Sequence, residues 1–203
     1  MFGLFKRSRI DMVEKELAKQ AQSTNSVANI YAKENVEGLL FYKSRDVASP
    51  NRGTADSAGF DFFVPNDYID QSNGIWNEGL QEYVLNVLPN SSVNIPSGIH
   101  VKLPSRNWVL VAFNKSGVSI KKHMLVGACV IDYDYQGEIH INLHNVGPTT
   151  QVVRNGDKLT QFLLLSTVLN NAVEVNSLQD LYSGLVTERG TGMAGSTGTN
   201  VSD

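Results

Sequence analysis

The sequence predicts an all-β fold, on three observations. From Leu39 onward, short apolar runs alternate with turn residues at regular spacing. The composition, with 17 Gly and many Val, Ile, Thr and Ser, favours strands joined by turns. Charged residues make up only 18% of the chain, too few for long solvated helices to dominate, while the 41% hydrophobic fraction suffices for one core. The strand candidates in order are Leu39 to Tyr42, Tyr83 to Leu88, Ile99 to Leu103, Val109 to Phe113, Leu125 to Ile131, Glu138 to Leu143 and Leu159 to Val168. Pro89-Asn90, Pro96-Ser97-Gly98, Pro104-Ser105, Gln136-Gly137 and Asn155-Gly156-Asp157 punctuate them, which is the pattern of a sandwich or barrel. The polar stretch Asp67 to Leu80 reads as a surface loop or insertion.

The two ends differ from this pattern. Ile10 to Ala21 reads as a helix: Ile10, Val13 and Leu17 share a face, and Ser8 with Asp11 resembles a capping box. Gln22 to Ser26 reads as a linker, so residues 1–35 form a helical appendage, 36–186 the β domain and 187–203 a Gly-rich arm, mobile when free.

A formal charge of −3 gives no electrostatic case for a nucleic-acid backbone as partner. Cys129 is the one cysteine, so no disulfide framework forms within the chain, and a reducing, cytoplasmic setting is expected. No apolar run approaches the roughly 20 residues that span a bilayer. The apolar start Met1 to Phe5 precedes the basic cluster Lys6-Arg7-Arg9, the reverse of a signal peptide's order. His140 and His144 lie on one face of a strand but about 13 Å apart at strand rise, too far to share an ion. No zinc spacing, Ser-His-Asp constellation, G-x-S-x-G elbow or P-loop is present.

Five segments, in order, carry a resemblance. They are Ala58-Gly59-Phe60-Asp61-Phe62, Lys115-Ser116-Gly117-Val118, Gly127 to Glu138 (GACVIDYDYQGE), Gly156-Asp157-Lys158-Leu159-Thr160-Gln161, and Arg189 to Gly198 (RGTGMAGSTG). Together they resemble the five motifs of the trimeric dUTPase family; the third is the closest match. The resemblance implies a jelly-roll-like β-clip barrel or sandwich of the dUTPase type and a homotrimer with shared active sites. It further implies hydrolysis of dUTP to dUMP and pyrophosphate, with Mg²⁺ bound chiefly by the triphosphate. Asp132 is then the residue that orients the attacking water. Tyr135 stacks against the deoxyribose and leaves no room for a 2′-hydroxyl, a steric exclusion that a flat ring performs well. Main-chain groups of the turn from Leu125 to Cys129 read the uracil edge.

Ser116 is implied at the α,β-bridging region, with Lys115 and Gly117 beside it and Gln161 on a phosphate oxygen or the adjacent water. Asp61 is implied on the metal side, through water. Arg189, Gly195, Ser196 and Thr197 are implied on the triphosphate, as long-reach charge, close-approaching backbone and hydroxyl donors. If the strand runs regularly to Tyr135, alternation places Asp132 and Asp134 on one face and Tyr133 and Tyr135 on the other; a turn near Gln136-Gly137 would break that pattern.

Three positions depart from the family pattern. Lys115 stands where Arg is usual and loses the planar fork. Cys129 stands where Gly is frequent, and its thiol is expected to act as a small apolar group. Ala194 stands where a Phe stacks on the base, which implies a looser lid. Two other functions compete. A dCTP deaminase-type relative would need a Glu acting on a water at the base, with an Arg/Ser-rich motif where this chain has Lys115-Ser116-Gly117. A dUTPase-like regulatory or binding protein would use the N-terminal appendage.

Overall fold

The structure, a computed structural model, describes Lys15, residues 38–187 and residues 190–192. Apart from Lys15, whose backbone is helical, the expected N-terminal helix lies outside the described residues. The chain divides into two compact units, one ending at Val168 and one beginning at Leu169.

The first unit holds twelve strands among the described residues: β1 (Leu40–Lys43), β2 (Phe60–Phe63), β3 (Ile75–Asn77), β4 (Glu82–Val87), β5 (Ser92–Pro96), β6 (Ile99–Lys102), β7 (Trp108–Asn114), β8 (Met124–Val126), β9 (Val130–Ile131), β10 (His140–Asn145), β11 (Gln151–Val153) and β12 (Lys158–Ser166). They form sheets ordered β1-β6, β5-β10-β8, β11-β4-β3 and β2-β12-β7-β9, with antiparallel pairing. A mostly antiparallel set of short sheets around one core is the jelly-roll-like all-β architecture that the sequence predicts.

Alternation explains how these strands bury their apolar residues. On β10, Ile141 and Leu143 are buried, while His140, Asn142 and His144 face the other way. On β12 and β2, Phe162 and Phe62 are both buried, with ring centroids 4.3 Å apart. The same period puts Asp61 and Gln161, direct cross-strand partners, on the opposite face of the sheet from that pair. Buried polar groups are satisfied. The Asn145 amide donates to the carbonyls of Val87 at 2.9 Å and Thr149 at 2.8 Å, and its Oδ1 accepts the Gly147 N–H at 3.0 Å.

Two sequence expectations change, and two short helices form where the sequence reading named no element. Asp67 to Leu80 is not all loop: it contains β3, whose Trp76 packs edge-on against Tyr83 of β4 at 5.2 Å. A three-residue strand gives too little alternation to be read amid polar neighbours. In the adjoining turn, the Ser72 hydroxyl and N–H donate to Asp70 at 2.6 and 2.7 Å and hold its carboxyl below the usual range. Leu125 to Ile131 is two strands, β8 and β9, pairing in different sheets and separated by the turn at Gly127. A seven-residue helix, α1 (Ser116–Lys122), follows β7. The second unit contains α2 (Leu178–Tyr182), capped by Ser177 Oγ accepting the Asp180 N–H.

Candidate active site

Residues of the third segment build one wall of a cavity. After β9 the chain turns at once, and the Tyr135 N–H donates to the Asp132 carbonyl at 3.2 Å. Strand alternation therefore stops at Ile131, and the expected two-faced arrangement of Asp132, Tyr133, Asp134 and Tyr135 is not formed. The turn is closed by main-chain groups alone, the Asp132 carbonyl accepting the Tyr135 N–H. The turn still gathers three of the candidate residues. Cys129, Asp132 and Tyr135 line one cavity of about 310 Å³, together with Ala128, Val130 and Ile131. The Tyr135 hydroxyl donates to the Glu138 carbonyl at 2.8 Å, which folds the ring back across the turn. Cys129 is half-buried, packing against the core while lining the cavity.

The turn that enters this wall is held rigidly. The Gly127 N–H donates to the Asn142 carbonyl, and the Ala128 N–H to Asn142 Oδ1, both at 3.0 Å. The Val126 N–H donates to Asn114 Oδ1 at 2.7 Å. A Cβ on Gly127 would overlap Asn142 Oδ1 and the His144 ring, so both side chains would have to shift to admit one.

The far side of the turn is anchored by Glu138. Its Oε1 accepts the Gly98 N–H at 2.6 Å and Arg45 Nε at 3.0 Å. Gly98 is buried, at φ +71° in the turn between β5 and β6. We expect Glu138→Ala to leave that N–H without an acceptor and to lower stability by about 1–3 kcal/mol. Glu138→Gln keeps an acceptor and should recover much of the loss. Urea unfolding of the two variants checks this, and equal stability of both would show that the Gly98 contact contributes nothing.

A second group lies elsewhere on the same chain. Asp61 is only 4% exposed. One of its carboxylate oxygens meets Lys115, and the other lies 3.2 Å from Lys158 Nζ. Gln161, across from Asp61, donates from Nε2 to the Asn114 carbonyl at 3.0 Å. Ser116 and Gly117 open α1 and are exposed, with no side-chain cap on the helix.

The strand register separates the two groups. Ile131 pairs with Leu110 of β7 and Gln161 with Phe113, so Asp132 is level with Val109, four residues or about 13 Å away along β7. Ser116 lies further still. Arg189, Ala194, Gly195, Ser196 and Thr197 lie outside the described residues. The sequence reading missed Asn94, His140 and Asn142, which complete the cavity wall, and Lys158 beside Asp61. The polar alternation of His140, Asn142 and His144 was a usable signal. Asn94 had none, since only pairing of β5 with β10 brings it there.

Among the described residues no cluster of three His, Cys, Asp or Glu side chains can cage a metal ion. Asp61, with a lysine on each oxygen, suits only an outer role through water. Two ammonium groups against one carboxylate leave a net positive charge, the sign that draws phosphate.

Comparison with known proteins decides the family. A dUTPase family model matches residues 80–198. The chain belongs to the dUTPase family. It is 32% identical over 157 residues to the deoxyuridine 5′-triphosphate nucleotidohydrolase of Mus musculus, covering 77% of this chain and 82% of that one. It is 31% identical over 159 residues to the Yarrowia lipolytica enzyme of the same name, covering 78% and 87%. Among solved structures, the dUTPase of Staphylococcus bacteriophage 80alpha with dUPNHPP superposes with a TM-score of 0.62 at 19% identity, covering 81% of this chain and 100% of that one. The EIAV dUTPase gives 0.52 at 20% identity, covering 70% and 98%. These two likenesses establish the fold. Membership of this family supports dUTP hydrolysis as the activity class. No helix among the described residues is long and apolar enough to cross a membrane.

Proposed function

We propose that this chain hydrolyses dUTP to dUMP and pyrophosphate by attack of an Asp132-oriented water on the α-phosphorus. The observation that carries the reading is the single cavity that brings Asp132, Tyr135 and Cys129 together. Asp132 accepts a proton from the water as its oxygen bonds to the α-phosphorus. The bond from that phosphorus to the α,β-bridging oxygen breaks, and pyrophosphate leaves with the electron pair. No covalent enzyme intermediate forms. Tyr135 packs against the deoxyribose and excludes a 2′-hydroxyl. Main-chain groups from Leu125 to Cys129, held by Asn142 and Asn114, read the uracil edge.

Lys115, Ser116, Gly117 and Gln161 take the phosphates, with Asp61 and Lys158 setting the position of Lys115. Arg189, Gly195, Ser196 and Thr197 complete the triphosphate site. Because one chain sets these phosphate groups about 13 Å along β7 from the level of Asp132, a complete site needs more than one copy. That supports a homotrimer with shared active sites. Mg²⁺ suits the triphosphate oxygens, with Asp61 reaching it through water, and when bound it neutralises phosphate charge. The reaction keeps uracil out of DNA and supplies dUMP for dTMP synthesis, in a reducing cytoplasmic setting.

The test is pyrophosphate release, with Mg²⁺, from dUTP, dCTP, dTTP and UTP. Selective release from dUTP supports the reading; no release from any of them places a nucleotide-binding protein in front. The Ala194 departure yields a second expectation. A base stacked on an aromatic gains about 1–3 kcal/mol, so Ala194→Phe should lower KM for dUTP several-fold. An unchanged KM in steady-state kinetics would show that the arm does not reach the base.

A further inference from the structure

The cavity wall facing the third segment is made by β5 and β10, whose outward side chains are polar. Alternation on β10 sends Ile141 and Leu143 into the core and leaves His140 and Asn142 on the cavity side. Asn94 of β5 lies directly across from Asn142 and reaches His140 on the diagonal, a separation that long side chains span. Its Nδ2 lies 2.9 Å from His140 Nδ1. With the amide NH₂ donating to Nδ1, the matching tautomer of the ring carries its proton on Nε2. Among the described residues Nε2 has no hydrogen-bond partner. Asn142 is occupied by the Ala128 N–H, so it serves the turn. His140 therefore offers the cavity one oriented N–H donor, on a ring that the Asn94 amide holds in place.

We infer that His140 is a specificity-determining residue of the pyrimidine pocket, donating Nε2–H to the O4 carbonyl of a uracil base, with Asn94 as its positioning residue. The inference rests on the reading of this cavity as the dUTP site and goes beyond the main-chain reading of the base. A carbonyl oxygen has two lone pairs, so O4 accepts from His140 as well as from a main-chain N–H. Cytosine carries an amino group at that place. Its N–H groups then face the ring N–H, and a donor opposed to a donor is left unpaired where the base fills the pocket. The residue thus selects 4-oxopyrimidine nucleotides against 4-aminopyrimidine ones.

The test uses the full chain with Mg²⁺ and titration calorimetry of two non-hydrolysable probes, dUpNHpp and its cytosine counterpart dCpNHpp. His140 and Asn94 are exposed, so removing either leaves the core in place. His140→Leu should narrow the preference for dUpNHpp by about tenfold, through a weaker Kd for the uracil probe. In steady state the loss should fall on KM for dUTP more than on kcat. His140→Gln, which keeps an N–H donor of similar reach, should restore part of the preference. Asn94→Ala should narrow it in the same direction by less. An unchanged ratio in His140→Leu, or equal weakening for both probes, overturns the inference and leaves His140 a structural residue. Should His140→Leu not fold, the Asn94→Ala ratio decides by the same criterion. A wild type that releases pyrophosphate from dUTP while the variants keep their ratio sinks this inference alone. A wild type that binds neither probe removes the proposed function, and this inference with it.

Discussion

Asp132→Asn is expected to lower pyrophosphate release from dUTP by about 10²–10⁴-fold, the range for losing a positioned general base. The substitution keeps the shape and leaves a group that can still hydrogen-bond to water but cannot take its proton. The fold should not notice the change. Asp132 is exposed, and its carboxylate makes no hydrogen bond or ion pair among the described residues; only its main-chain carbonyl is used, by the Tyr135 N–H. Stability should therefore shift by less than about 0.5 kcal/mol, and dUpNHpp should bind within a few-fold of the wild type. Single-turnover rates, calorimetry with that probe and urea unfolding separate the outcomes. A rate close to wild type would remove Asp132 from the chemistry. A lost rate together with lost binding would make its role one of substrate capture.

Phe162→Ala should be the costliest change to the fold, at about 3–5 kcal/mol. Phe162 sits in β12, which is paired on both sides by β2 and β7, and its ring meets that of Phe62 at 4.3 Å with almost no exposure on either. Truncation leaves a cavity that strands hydrogen-bonded along both edges cannot collapse around. A domain of this size loses on the order of 10 °C of melting temperature for such a change. Phe162→Leu, which fills much of the space, should cost under about 1.5 kcal/mol. The consequence extends to the site, because Gln161 adjoins Phe162 and Asp61 adjoins Phe62. Chemical unfolding of both variants checks the pair; a small loss in Phe162→Ala would mean that the sheet repacks and that the ring pair is not central.

Much of the architecture was legible because burial imposes a period. β10 announces itself through alternating apolar residues and β12 through the continuous apolar run Phe162 to Leu165, and their flanking turns through Gln136-Gly137 and Asn155-Gly156-Asp157. β2, β3, β5 and β11 were missed for the same reason in reverse, since three to five residues beside polar turns carry too few alternations. α1 was hidden as well. Ser116-Gly117 is poor helix sequence, and tertiary packing of the buried Val118 outweighs that propensity. At Asp132 the strand ends earlier than the turn signal at Gln136-Gly137 suggested, through a main-chain bond from the Tyr135 N–H to the Asp132 carbonyl.

By itself, the sequence determined the fold class, the family resemblance and the chemical identity of Asp132, Tyr135, Lys115, Ser116 and Gln161 as candidate site residues. The fold class follows from composition and periodicity and the site residues from the family resemblance of the ordered motifs, all of which are local along the chain. Only the tertiary structure decided which of them meet. Pairing of β5 with β10 brought Asn94 to His140, from 46 positions away. The register of β7 between β12 and β9 set Asp132 apart from Asp61, Lys115 and Gln161. Packing around Asp61 brought in Lys158, a residue of the fourth segment to which the sequence reading gave no role. The physical reason is that cross-strand hydrogen bonding fixes register through long-range contacts, and register is what turns residues distant in sequence into one site.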